Sequence, residues 1–173
     1  MKKIALTFLG FVCILSLTEC TSSGSKDVSN SDSTTTASAT SDSFNVKDNW
    51  KIGVQMWTFR MFSFADALDK VDSAGVKYIE AFFGQPLGAG LKDSFGIRMS
   101  DASKARLKQM LQAKGISIVA MGVIVPQTRE EWKKAFDLAK EFGLSYITAE
   151  PIKSQWDMVD SMAGAYGIKV EIH

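Results

Sequence analysis

From Trp50 onward one phrase recurs: an amphipathic helix, a glycine, one apolar residue, then a short run rich in β-branched or aromatic residues. Its instances are Ala74-Gly75-Val76-Lys77-Tyr78-Ile79-Glu80, Lys114-Gly115-Ile116-Ser117-Ile118-Val119, Phe142-Gly143-Leu144-Ser145-Tyr146-Ile147 and Tyr166-Gly167-Ile168-Lys169-Val170-Glu171. Each glycine falls where a helix must stop, at the left-handed position that residues with a Cβ avoid. Helix starts are marked as well, because Ser63 with Asp66, Thr128 with Glu131 and Ser154 with Asp157 fit capping boxes. Phe64, Ala67, Leu68 and Val71 make one apolar stripe and Trp132, Ala135, Phe136 and Ala139 another, at the spacing of a helix face laid on a sheet.

With a first strand over Lys51 to Thr58, the chain reads as five strands alternating with four helices. Strict alternation with short connections implies parallel strands and right-handed crossovers. Two architectures satisfy that, an open doubly wound sheet and a β/α barrel. Successive strand residues face opposite ways. In the expected fifth strand Lys169, Glu171 and His173 oppose Val170 and Ile172; in the fourth, Tyr146, Thr148 and Glu150 oppose Ile147 and Ala149; in the second, Tyr78, Glu80 and Phe82 oppose Ile79 and Ala81; in the first, Gln55 and Trp57 oppose Val54 and Met56. One polar face disfavours a sheet covered by helices on both sides and favours a barrel with polar groups in its upper interior. The expected fold is α/β, a (β/α)8 TIM barrel truncated after its fifth strand, because a full barrel takes about 250 residues.

The N-terminus carries a different message. Lys2 and Lys3 precede an apolar run from Ile4 to Leu17, the pattern of an export signal too short to span a bilayer as a mature helix. The run ends Leu17-Thr18-Glu19-Cys20, which resembles the lipobox of bacterial lipoproteins, so Cys20 is the expected lipidation site, with ordinary secretion as the alternative. The only other cysteine, Cys13, lies inside the apolar run, so no intramolecular disulfide survives its removal. Thr21 to Ser43 is mostly Ser and Thr and cannot offset the entropy of ordering. The expected division is therefore a signal over 1–20, a disordered tether over 21–46 and the barrel part over 47–173. The protein is expected outside the cytoplasm, periplasmic or at the cell surface, held to the membrane by its lipid. The net charge of +1 falls near zero once Lys2, Lys3 and Glu19 leave, which offers nothing to a nucleic acid.

Barrel enzymes place their chemistry at the C-terminal ends of the strands. There the sequence offers Trp57 and Phe59, then Glu80, then Glu150, then Glu171 and His173. Inward carboxylates repel and desolvate one another, so they persist when a cation, a shared proton or a substrate proton needs them. Glu171 and Glu150 are the catalytic candidates; Trp57, Phe59, Glu80 and His173 are the substrate contacts, the aromatics suiting the apolar face of a sugar ring. The segment Phe83 to Ser100, with Gly84, Gly88, Gly90 and Gly96, leaves the second strand on this side and is expected to act as a mobile lid. Its glycines form neither a P-loop nor a dinucleotide fingerprint.

Three segments, Lys51-Ile52-Gly53-Val54-Gln55-Met56-Trp57-Thr58-Phe59, the Tyr78-Ile79-Glu80-Ala81-Phe82 strand and Gly167-Ile168-Lys169-Val170-Glu171-Ile172-His173, resemble strands one, two and five of the sugar phosphate isomerase/epimerase family, with its xylose isomerase-like barrel. The resemblance implies that Glu171 is a metal ligand that also moves a proton at the sugar carbon, and that the full-length protein carries Mn²⁺, Co²⁺ or Mg²⁺ at a site that is incomplete in this chain. The Asp, His and second Glu that complete the family's site come from later strands and have no counterpart in this chain. The implied activity is metal-assisted proton transfer beside the carbonyl of a sugar or keto-glycoside, expected to be absent from the chain as it stands. The alternatives are a non-catalytic sugar-binding lipoprotein and a keto-sugar lyase or hydrolase on the same barrel.

Expression in a native-like bacterial host tests the N-terminal reading. Cys20→Ser should move the protein from the membrane to the soluble fraction, and intact-mass analysis of the wild type should show a diacylated Cys20.

Overall fold

A computed structural model describes residues 50–173; the expected signal segment, Cys20 and the Ser/Thr tether lie outside the described residues. The first strand β1 is Gly53–Gln55, followed by a 3₁₀ turn, Met56–Phe59, and helix α1, Phe64–Ser73. Then come β2 (Tyr78–Ala81), a hairpin of β3 (Pro86–Gly88) and β4 (Leu91–Ser94), and helix α2 (Asp101–Lys114). Strand β5 is Ser117–Ile124, helix α3 Arg129–Phe142 and strand β6 Tyr146–Ala149. A short 3₁₀ turn, Lys153–Gln155, leads into helix α4, Trp156–Tyr166, and strand β7, Lys169–Ile172.

Five strands form one parallel sheet in the order β1-β2-β5-β6-β7, with β3 and β4 paired antiparallel beside it. The spatial order follows the chain order without reversal. A doubly wound sheet reverses at a switch point, and that reversal puts helices on both faces. Right-handed crossovers that always step the same way leave the helices on one side. Burial agrees: Ile79, Ala81, Ile147 and Ala149 are fully buried, whereas their neighbours Tyr78, Glu80, Tyr146 and Thr148 are only partly covered. The fold is thus α/β with a largely parallel five-stranded sheet, compatible with part of a TIM-like barrel and not itself closed.

The core lies between the sheet and its helices. Trp132, Phe64, Phe95, Phe136 and Met56 are its largest fully buried side chains. Gly75, Gly115, Gly143 and Gly167 all take positive φ, between 59° and 72°, and end α1 to α4 as the repeat predicts. Ser63 caps α1, accepting from the Asp66 amide at 3.2 Å and donating to its carboxylate at 2.7 Å. Thr128 caps α3 likewise, while the Glu131 carboxylate accepts from the Gln127 amide at 2.8 Å.

Four expectations need correction. The first strand does not run to Thr58, because the Gln55 side chain accepts from the Trp57 amide and turns the chain after three residues. The second strand ends at Ala81, before Phe82. Ser154 does not cap a helix, since a 3₁₀ turn precedes Trp156 and no side chain caps α4. Finally, Phe83 to Ser100 is not a free lid. It folds as the hairpin, buries Gln85, Leu87, Phe95 and Met99, and closes its base through Gly84 N–H to Phe95 C=O at 2.8 Å and Phe95 N–H to Gln85 C=O at 2.8 Å.

Two buried amides stitch the connections together. Gln85 donates to the carbonyls of Phe59 and Phe62, each at 3.2 Å, tying the hairpin to the turn after β1. Gln155 accepts from the Trp132 indole at 3.2 Å and donates to Pro126 C=O at 3.3 Å and Gln127 C=O at 3.1 Å, joining the loops that follow β5 and β6.

Asp93 on β4 anchors the start of α2. Its carboxylate accepts from the Ser100 amide at 2.9 Å and the Ser100 hydroxyl at 2.7 Å. The Ser103 hydroxyl, with those two donors, holds the Asp93 carboxyl down at about 2 against an ordinary 3.8. A carboxyl depressed in the folded state stabilises it above the unfolded value and loses that contribution as pH falls through the folded one. Asp93→Asn should therefore lower the denaturation midpoint at about pH 6, and the gap from wild type should close as pH falls from about 4 towards 2. Urea titrations at several pH values measure it.

Candidate functional site

Polar side chains on the uncovered face line up in rows across the sheet. Gln55 is in register with Glu80, and Thr148 with Glu171. Between them β5 presents Ala120 and Gly122, whose small size leaves a gap. Across that gap the Thr148 hydroxyl donates to the Glu80 carboxylate at 2.7 Å, although β2 and β6 are not neighbours. Any side chain at Gly122 would close it: a Cβ there would lie 2.5 Å from Thr148 O and 2.6 Å from Thr148 Cβ. Gln55 also donates to Gly122 C=O at 3.4 Å. Burial first, then the negative charges of Glu80 and Glu171, push the Tyr146 phenol above its ordinary value.

At the C-terminal rim a depression of about 480 Å³ is lined by Gln55, Trp57, Thr58, Phe82, Val123 and His173. Trp57 follows β1 and His173 follows β7, the two edges of the sheet. In a flat sheet those edges would stand about 19 Å apart, four spacings of ~4.8 Å. That both line one depression shows the sheet curling towards its polar face. Trp57 meets Phe82 edge to face, with ring centroids 4.6 Å apart, and the Arg60 guanidinium lies 5.0 Å from the Trp57 ring. The indole is half exposed, a flat apolar surface held from behind.

His173 Nδ1 lies 2.7 Å from Glu150 Oε1, with both side chains at least half exposed. Backbone bonds place the pair: Glu150 N–H to Ile124 C=O at 3.0 Å, and His173 N–H to Ala149 C=O at 3.1 Å. A carboxylate on Nδ1 fixes the imidazole's orientation and leaves Nε2 for a substrate.

The structure thus joins Glu150 to His173, brings Trp57 and His173 to one depression, and sets Glu80 and Glu171 on one polar face in successive rows. It places Phe59 elsewhere: half-buried against the core, with its carbonyl accepting from Gln85. Gln55, Phe82, Gly122, Tyr146 and Thr148 were not singled out as site residues from the sequence. A glycine inside a strand pattern marks a close approach, so Gly122 carried a readable signal; Thr148 carried none, because its partner comes from a strand 68 residues away.

The donors stand as pairs. Among the described residues no group of three His, Cys, Asp or Glu side chains is placed to hold a metal ion. A divalent cation takes at least four ligands, and hard cations six or more oxygens. The described residues by themselves do not fit the divalent ion that the sequence resemblance implied.

No protein-family model and no curated protein matches the chain. Among solved structures, an uncharacterised protein from Parabacteroides distasonis ATCC 8503 is 38% identical, with a TM-score of 0.68 over 72% of this chain and 52% of that one. A xylose isomerase domain protein from Alicyclobacillus acidocaldarius is 12% identical, with a TM-score of 0.46 over 70% of this chain and 49% of that one. The chain spans about half the length of each.

Gly122→Ala tests the polar row. The methyl would strike the Thr148 backbone, so the variant should lose about 1–3 kcal/mol of stability by the usual cost of overpacking. Thr148→Val, which keeps the branched shape and replaces the hydroxyl with a methyl, should leave the fold intact while removing the bond to Glu80, visible as a changed chemical shift of the Glu80 side-chain carboxyl carbon by NMR at constant pH.

Proposed function

We propose that this chain supplies the first part of a carbohydrate-acting barrel enzyme of the isomerase/epimerase type, in a protein of the length of the matched structures. The Glu150–His173 pair beside Trp57 carries the reading. An oriented imidazole next to a half-exposed indole is a suitable arrangement for a small polyol with a carbonyl: the ring's apolar face rests on Trp57, hydroxyls meet Gln55 and Glu80, and the carbonyl oxygen meets His173.

The reaction is proton transfer beside that carbonyl. Glu171, on the same face of β7 as His173, takes the proton from the adjacent carbon. His173 Nε2 gives a proton to the carbonyl oxygen, and an enediol forms. Return of the protons to the other carbon, or to the other face, completes isomerisation or epimerisation. Glu150 holds the imidazole through Nδ1, so that Nε2 faces the substrate. The same enediol could expel a leaving group at the next carbon, which makes elimination from a keto-glycoside a variant of one chemistry. No step is assigned to a metal, since the described donors form no three-ligand group by themselves. Export and a lipid anchor at Cys20 belong to the same proposal and suit a sugar met outside the cytoplasm.

A second reading, a sugar-binding protein without turnover, rests on the half-exposed Trp57. Solvent exchange separates the two. In a protein of the full length of the matched structures, incubation with a ketose in heavy water should place deuterium at the carbon beside the carbonyl. Glu171→Gln should slow this at least about a hundredfold, the scale of a lost general base. Binding with no exchange would leave the second reading standing, and exchange undiminished in Glu171→Gln would overturn that residue's role.

A further inference from the structure

Behind the rim depression lies a second groove, of about 530 Å³, between the hairpin and α3. Adjacent residues at the strand ends divide the two: Phe82 and Val123 line the first, and Phe83 and Ile124 the second. The two therefore open on opposite sides of the strand ends, and nothing in the proposed chemistry uses the second. Its size is that of a small-ligand site.

Its floor is apolar, built from Phe83, Phe95, Ile97, Ile124 and Ala135, of which Phe95, Ile124 and Ala135 are buried. Four charged side chains border it: Lys92, Asp93, Arg98 and Glu131. Their formal charges cancel, yet their hydrogen-bonding capacity does not. The Asp93 carboxylate accepts from the amide and hydroxyl of Ser100, and the Glu131 carboxylate accepts from the Gln127 amide. Both acids are engaged in holding helix starts. Neither Lys92 nor Arg98 takes part in any ion pair found among the described residues. Both are exposed. The groove thus offers an apolar floor and two cationic donor sets outside any ion pair found among the described residues, while its acids are engaged at helix starts.

We propose that this groove binds a small amphipathic anion, an aryl or alkyl carboxylate whose apolar body lies on Phe83 and Ile124 and whose carboxylate meets Arg98 and Lys92. A guanidinium receives a carboxylate through parallel N–H donors, and the ammonium adds a second charge-assisted bond. The apolar body is required because exposed cations alone hold a carboxylate weakly in water. The site is independent of the sugar chemistry at the rim and stands whether or not that reading does.

Titration of 2-naphthoate into the 173-residue chain, followed through the methyl resonances of Ile97 and Ile124, tests the assignment. Saturable shifts at those methyls are expected, with binding weakened at least about tenfold by Arg98→Ala and by Lys92→Ala, the effect of losing one charge-assisted bond. The neutral comparator 2-acetylnaphthalene, of nearly the same shape, should bind correspondingly less tightly. Both substitutions are at exposed side chains, so folding is checked by unchanged methyl spectra before titration. The proposal is overturned by shifts that do not saturate, by equal affinity for acid and ketone, by shifts centred on Trp57 and His173 instead, or by affinity unchanged in both variants.

Discussion

Parallel pairing in chain order is the constraint on which the rest depends. Each strand lies beside the one before it, and each crossover has the same hand, so α1 to α4 collect on one side of the sheet. The other side is left without helices. That single geometric fact lets a strand carry Ile79 and Ala81 towards the core and Tyr78 and Glu80 away from it. It also explains why carboxylates are tolerated on a sheet at all, since the uncovered face remains open to water.

Curvature turns that open face into a site. Trp57 and His173 come from opposite edges yet line one depression, and Glu80 reaches Thr148 over an intervening strand. The reach depends on the absence of a side chain at Gly122. The Glu80–Thr148 bond crosses an intervening strand, whereas the Glu150–His173 pair follows from the register of the neighbouring strands β6 and β7. The hairpin after β2 supports it from outside: Gln85 grips the turn that presents Trp57, and Asp93 fixes the start of α2.

The strand ends divide the molecule's two recesses. Phe82 and Phe83 are adjacent in the chain but line different ones, as do Val123 and Ile124. On the inner side Glu80 is bonded to Thr148 and Glu150 to His173. On the outer side Asp93 and Glu131 are committed to helix starts, while Lys92 and Arg98 take part in no ion pair found among the described residues. Composition alone would have counted the four charges and found no preference.

Much of this fold was legible before any coordinates. The helix-glycine-strand phrase located four helix ends because a left-handed residue admits glycine at little steric cost, and alternation within strands separated the core face from the polar one because neighbouring side chains must point apart. Glu80, Glu150, Glu171 and His173 were visible as polar residues on the uncovered face for the same reason. Local hydrogen bonds overrode the pattern where they could: the Gln55 side chain ends β1 early, and a 3₁₀ turn replaces the cap expected at Ser154. Periodicity reports which face a residue takes and says nothing about which distant residue it meets. The pairing of Glu150 with His173, the bond from Thr148 to Glu80 across Gly122 and the burial of Gln85 under the hairpin were decided by the tertiary structure, because each joins residues far apart in the chain that meet only when the strands and their connections assemble.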